Sequence, residues 1–138
     1  MNESKTKTNG QPHVHIPDDL RPKLPPGLAP DDLKAAAGYD LDEHGRYAEG
    51  WLLLTDDQLG HFLRRNGSWE GSWEAISKFK KAVMVEGLGM GLLRLTADDT
   101  VVAEYRYTLR HAREVARLHR RLEKHMEGKA DVESPGEE

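Results

Sequence analysis

Thr100-Val101-Val102-Ala103-Glu104-Tyr105-Arg106-Tyr107 runs directly into Thr108-Leu109-Arg110-His111-Ala112-Arg113-Glu114-Val115-Ala116-Arg117, and the periodicity changes at the join. Before it, Val101, Ala103, Tyr105 and Tyr107 fall at every second position, with Thr100, Val102, Glu104 and Arg106 between them. A period of two is the strand signature. After it, Leu109, Ala112, Val115, Ala116, Leu122 and Met126 recur at steps of about three or four, which is the apolar stripe of a helix. Thr108 is placed to cap this helix, since its hydroxyl can accept from an early helical N–H, and Gly128 is placed to stop it. The spacing therefore predicts a helix over 108–127.

Upstream, turn signals come at short intervals. Glu43-His44-Gly45, Asp56-Asp57 and Asn66-Gly67 separate the runs Tyr39–Asp42, Tyr47–Thr55, Leu59–Arg65 and Ser68–Glu74, and Asp98-Asp99 separates Leu92–Thr96 from Val101–Tyr107. Asn-Gly is the strongest hairpin signal among them, because both residues tolerate positive φ. In Ser68–Glu74, Trp69, Gly71 and Trp73 share one face and Ser68, Glu70, Ser72 and Glu74 the other. Gly50-Trp51-Leu52-Leu53-Leu54 is continuously apolar, as in a strand covered on both sides. A run of strands followed by one helix, with no helix between strands, predicts a mainly β (α+β) fold. It reads as an antiparallel barrel or sandwich of six or seven strands, from about Leu33 to Tyr107, with the C-terminal helix packed on it.

Six of the seven prolines lie in the first 30 residues, where they break regular structure repeatedly. Residues 1–32 read as an extended or disordered tail, 33–127 as the folded domain, and 128–138 as an acidic disordered tail. The chain has 138 residues, enough for one domain. It contains no cysteine, which removes disulfides, thiolate metal sites and a thiol nucleophile. A net charge of −4 argues against nucleic acid as partner. No run of about 18 apolar residues offers a membrane span. The polar start, Met1 to Gly10, has no secretory signal, so a cytoplasmic location is expected.

No constellation of acid, base and nucleophile emerges, so no catalytic residue, cofactor or metal site is assigned. Glu86-Gly87-Leu88-Gly89-Met90-Gly91 lacks the following helix that a phosphate-cradling loop needs; Leu92–Thr96 reads as strand, and the glycines as a bend or bulge. His13-Val14-His15 has no third ligand at useful spacing. His111, His119 and His125 suggest no paired base. Trp51, Trp69 and Trp73 read as core before ligand platform. The helix is the charged feature. Arg110, Arg113, Arg117, Arg120, Arg121 and Lys124 stand against Glu114, Glu123 and Glu127, six bases and three acids, which gives it +3 and leaves −7 elsewhere. The bland reading is a solvated face with Arg–Glu pairs within the helix. The sharper one is a basic docking surface formed by Arg110, Arg113, Arg117, Arg120 and Arg121.

Gly45–Asp56, with Leu24-Pro25-Pro26-Gly27, Asp40-Leu41-Asp42, the glycine-spaced Glu86–Leu95 stretch and Tyr105-Arg106-Tyr107 entering a basic helix, resembles bacterial pleckstrin-homology-like (PH-like) domains. It is most similar to the domain that precedes the membrane-spanning core of some bacterial ABC exporters. The resemblance covers residues 24–127. It implies a seven-stranded bent barrel and a non-catalytic cytoplasmic docking or regulatory module, with a membrane transporter core or related subunit as protein partner. The alternatives are peripheral binding to an anionic membrane surface and a small-molecule-binding barrel, the latter requiring polar residues that point inward.

Overall fold

The computed structural model of the protein describes residues 15–133, with side-chain surroundings through Glu127. Its frame is seven antiparallel strands: β1 (Ala35–Leu41), β2 (Tyr47–Leu54), β3 (Gln58–Arg65), β4 (Ser68–Ala75), β5 (Lys81–Gly87), β6 (Met90–Ala97) and β7 (Thr100–Thr108). One sheet holds them in the order β4-β3-β2-β1-β7-β6-β5. A helical turn at Leu109–His111 leads into helix α1 (Ala112–Glu133). The change of period at Thr108 is thus the change of structure.

The sheet is bent, and residues from both its halves meet in one core: Ala37, Tyr39, Leu52, Leu54, Leu59, Leu93, Leu95, Tyr105 and Tyr107, with Val115, Leu118 and Leu122 of α1. Edge strands β4 and β5 do not pair with each other, so the barrel expected from sequence is open. Helix α1 packs against β1, β5 and the Ile76–Lys78 turn, supplying apolar cover where strand pairing stops. Close approach across the core requires two glycines. Tyr107 lies over Gly91 and Tyr39 over Gly50, their cross-strand partners. A Cβ would come within 2.4 Å of the ring at Gly91 and 2.6 Å at Gly50.

The join between the two halves is one bridge, Leu41 to Arg106. Further along, β1 parts from β7 and leaves backbone donors to be satisfied. Glu114 of α1 accepts from the Gly38 N–H at 2.7 Å. Asp40 accepts from the Thr108 N–H at 2.7 Å and from its hydroxyl at 2.6 Å. Thr108 does stand at the N-cap position, but its hydroxyl holds β1 and makes no cap bond. Nor does Gly128 end the helix, which continues to Glu133; a glycine within a helix costs only about 1 kcal/mol. The acidic tail read at 128–138 is helical as far as Glu133, and its remainder lies outside the described residues.

The proline-rich segment also needs correction, from Ile16 onward. A 3-10 stretch, Asp18–Lys23, and the chain to Leu33 lie as a strap across the outer face of β2, β3 and β4. Ile16, Leu20 and Leu33 bury against Leu53, Phe62 and Trp69, with Leu24, Leu28 and Trp73 at the margin. The Trp69 indole N–H donates to Asp19 at 3.1 Å and that of Trp73 to the Lys23 carbonyl at 2.8 Å. Arg64 stacks on Trp69, 4.2 Å from its ring centre, and reaches Asp19 at 2.9 Å and Glu49 at 3.0 Å. The Trp69–Trp73 face therefore looks outward to the strap, while Ser68, Glu70, Ser72 and Glu74 share the inner face with His61 and Leu63.

Candidate functional site

Helix α1 divides cleanly into two faces. Val115, Leu118 and Leu122 are fully buried. On the other side Arg110, Arg113, Arg117, Arg120, Arg121 and Lys124 are exposed. At a rise of 1.5 Å per residue, Arg113 to Lys124 cover about 17 Å of the helix axis within roughly a quarter of its circumference, and Arg110 stands in the turn before it. The basic residues read from sequence are therefore one stripe.

Two of the three acids read with this stripe are committed elsewhere, while Glu127 stands exposed near its end. Glu114 turns in to Gly38 and to His111, whose Nδ1 is 2.9 Å away. Glu123 lies 3.4 Å from His119. Among the described residues no carboxylate forms an ion pair with Arg110, Arg113, Arg117, Arg120, Arg121 or Lys124; every ion pair of this helix runs through a histidine. Direct Glu–Arg pairs are thus absent from this face among the described residues. An unneutralised cationic row projects a positive potential over its surroundings, strongest at low ionic strength.

The three helix histidines have anchoring places. His111 sits between Glu114 and Asp40 of β1, its Nε2 3.7 Å from the latter. His119 Nε2 lies 2.9 Å from the Ala82 carbonyl of edge strand β5. His125 lies 3.5 Å from Asp56 in the β2–β3 turn. Together they fasten the buried side of α1 at three points and fix which side the arginines present. The sequence shows the histidines; only the tertiary contacts assign them this positioning role.

A second feature lies between the β1–β2 and β3–β4 ends of the sheet. A half-open cleft of about 330 Å³ is lined by Tyr39, His61, Leu63, Arg65, Glu70 and Tyr105, with other residues of β1 and β7. The inward polar residues that a small-molecule-binding barrel requires are thus present here, in His61, Arg65 and Glu70. Arg65 bridges Glu43 at 2.6 Å and Glu70 at 3.2 Å. Burial pushes the His61 imidazole below its ordinary value, an effect the nearby Glu74 opposes. Burial also pushes the Tyr39 and Tyr105 phenols up. The Tyr105 hydroxyl is buried with no hydrogen-bond partner among the described residues.

His61, Ser72 and Glu74 superficially suggest a nucleophile relay. The geometry is wrong for one. Ser72 donates to Glu74 at 2.8 Å, and both Ser72 and Glu74 approach the same imidazole nitrogen, Nε2, at 3.3 and 3.7 Å. A working relay has the acid on the opposite nitrogen from the hydroxyl.

The glycine-spaced stretch is a hairpin turn. Leu88 and Gly89, both at positive φ, join β5 to β6. No helix follows it to receive a phosphate. His13 and Val14 lie outside the described residues, so the His13-Val14-His15 reading is left where the sequence put it. No group of three or more His, Asp or Glu side chains suited to a metal occurs among the described residues. No described helix is long and apolar enough to cross a membrane.

No protein-family model matches the chain, and no curated protein matches it. The functional reading therefore rests on the geometry above.

Proposed function

We propose that this chain is a non-catalytic docking module of PH-like type, and that the cationic stripe of α1 receives an anionic surface. The single observation that carries the reading is the row Arg110, Arg113, Arg117, Arg120, Arg121 and Lys124, exposed and without a carboxylate partner among the described residues. Six like charges on one helix face repel one another, so an arrangement that leaves them bare is best rationalised by an anion brought from outside. The seven-strand order and the C-terminal helix beside the open edge support the PH-like reading. The partner suited to it is a membrane-associated assembly, such as the core of an exporter or a related subunit, approached from its cytoplasmic side.

The test uses isolated cell membranes with their proteins in place. The purified chain is expected to sediment with them at low salt and to be released by high salt. A variant carrying Arg113→Glu, Arg117→Glu and Arg120→Glu should stay in the supernatant at both. These positions are exposed, so the variant should keep the native unfolding midpoint. Equal sedimentation of native chain and variant, or none by the native chain at low salt, overturns the reading.

A further inference from the structure

The two edges of the sheet are finished differently. On β4, Glu70 and Glu74 alternate with Ser68 and Ser72 on one side, and the strap holds Trp69 and Trp73 on the other. Charged side chains and a covering segment are common defences of an edge strand. Edge strand β5 has no strap. Val83 and Val85, which alternate with the core-facing Ala82 and Met84, are 37% and 49% exposed. Glu86 and Gly87 beyond them are exposed as well.

The hairpin fixes which backbone groups this edge offers. Gly87 and Met90 close the two-residue turn Leu88-Gly89, and the closing pair of such a hairpin is a hydrogen-bonded one. Antiparallel pairs alternate, so Val85 and Val83 also bond to β6, while the N–H and C=O of Glu86, Met84 and Ala82 turn to the open edge. His119 agrees with this phase, because its Nε2 lies 2.9 Å from the Ala82 carbonyl. Helix α1 thus occupies the edge at Ala82. Among the described residues no strand lies beyond β5, and no turn or cap bond reaches the backbone of Met84 or Glu86.

We infer that this edge pairs with β5 of a second copy of the chain, antiparallel about a two-fold axis at Val85. Open-edge groups must meet open-edge groups, so the axis can lie at Val83, Met84, Val85 or Glu86. An axis at Val83 or Met84 needs the Ala82 carbonyl, which His119 holds. An axis at Glu86 sets that carboxylate against its own copy, and like charges directly opposite are destabilising. At Val85, Met84 of each copy meets Glu86 of the other, and each of these pairs exchanges both its hydrogen bonds. Val85 then lies across from its own copy, an apolar pair at the axis, and Val83 lies across from Gly87. The charges are complementary too. Lys80 and Lys81 stand at the start of β5 and Glu86 near its end, so antiparallel pairing brings the basic end of one strand toward the acidic end of the other. A second copy is the occupant because β5 carries its own complement in apolar side chain, backbone and charge. An edge contact this small suits a weak, concentration-dependent dimer.

Sedimentation equilibrium between about 10 μM and 1 mM tests the pairing. The native chain is expected to rise from 15.6 kDa toward twice that mass. Val85→Lys and Val85→Glu, each placing like charges across the axis, should weaken association by about tenfold or more, and an equal mixture of the two should restore it. The chain has no cysteine, so introduced ones report the register. Val85→Cys should give a disulfide-linked dimer under mild oxidation, because non-hydrogen-bonded partners stand about 4.5 Å apart at Cα, within disulfide reach. Val83→Cys, across from glycine, should not. The variant with Arg113, Arg117 and Arg120 changed to Glu should dimerise as the native chain does, which separates this pairing from docking on α1. A native chain that stays at 15.6 kDa throughout, association untouched by Val85→Lys, or equal cross-linking by Val83→Cys and Val85→Cys overturns the inference.

Discussion

Leu20→Ala separates a docked strap from a loose tail. Leu20 is fully buried against the outer face of the sheet, in a segment whose prolines suggest no packing at all. Truncation to alanine loses the transfer energy of the deleted carbons and leaves a cavity, together about 2–5 kcal/mol in well-packed sites. The strap lies on the surface of the sheet and can settle partly into the space, so the lower part, about 2–3 kcal/mol, is the expected cost. A domain of this size has a total stability of only about 5–15 kcal/mol. The loss should therefore move the urea midpoint by about 1–2 M with an unchanged slope, since slopes run at about 1–3 kcal/mol per molar. The assay is equilibrium unfolding followed by tryptophan fluorescence, because Trp69 and Trp73 both hydrogen-bond to the strap. A midpoint within a few tenths of molar of the native value would refute the argument and return residues 16–33 to the status of a tail.

Other expectations follow from the same contacts. Leu88→Asn removes a misfit side chain from a left-handed position and should raise stability by about 0.5–1 kcal/mol in the same titration. Acidification should destabilise the fold through His61. Its folded-state value lies below the ordinary 6.5 because of burial, so its contribution is present above pH 6.5 and is lost as pH falls through the lower value. His61→Gln should flatten the fall in thermal midpoint between about pH 7 and 5. At the alkaline end, burial holds the phenols of Tyr39, Tyr105 and Tyr107 above their ordinary 10, so stability is lost as pH rises beyond that value. Phenolate absorbance should then rise together with loss of β-sheet circular dichroism; phenolate formation with the sheet intact would contradict the burial.

The strand-to-helix change at Thr108 was legible because backbone period and side-chain environment agree there. Tyr105 and Tyr107 face the core as their alternation predicts. Val101 does not: a register shift at Leu95/Thr96 turns it out, and it is 50% exposed. Bulges leave little trace in a pattern of two. Leu109 belongs to the helical stripe by spacing but precedes α1, and Leu118, outside the stripe as read, is fully buried. The strap was hidden by its prolines. They forbid regular pairing, yet a 3-10 stretch with irregular chain on either side can still lay Ile16, Leu20, Leu24 and Leu28 on a neighbouring sheet. The cationic residues were visible in order and number. Their freedom from pairing was not, because Glu114 and Glu123 have the spacing of intrahelical partners and are drawn away by Gly38, His111 and His119, contacts that only the fold creates.

We propose that docking resides on the exposed face of α1, not in the cleft between β1 and β3. Hydrogen–deuterium exchange of the chain, free and sedimented with isolated cell membranes, tests this directly. The largest changes are expected over Arg110 through Lys124, while Tyr39, His61, Arg65 and Tyr105 are unchanged. Changes confined to those cleft residues, with the helix unaffected, would contradict it.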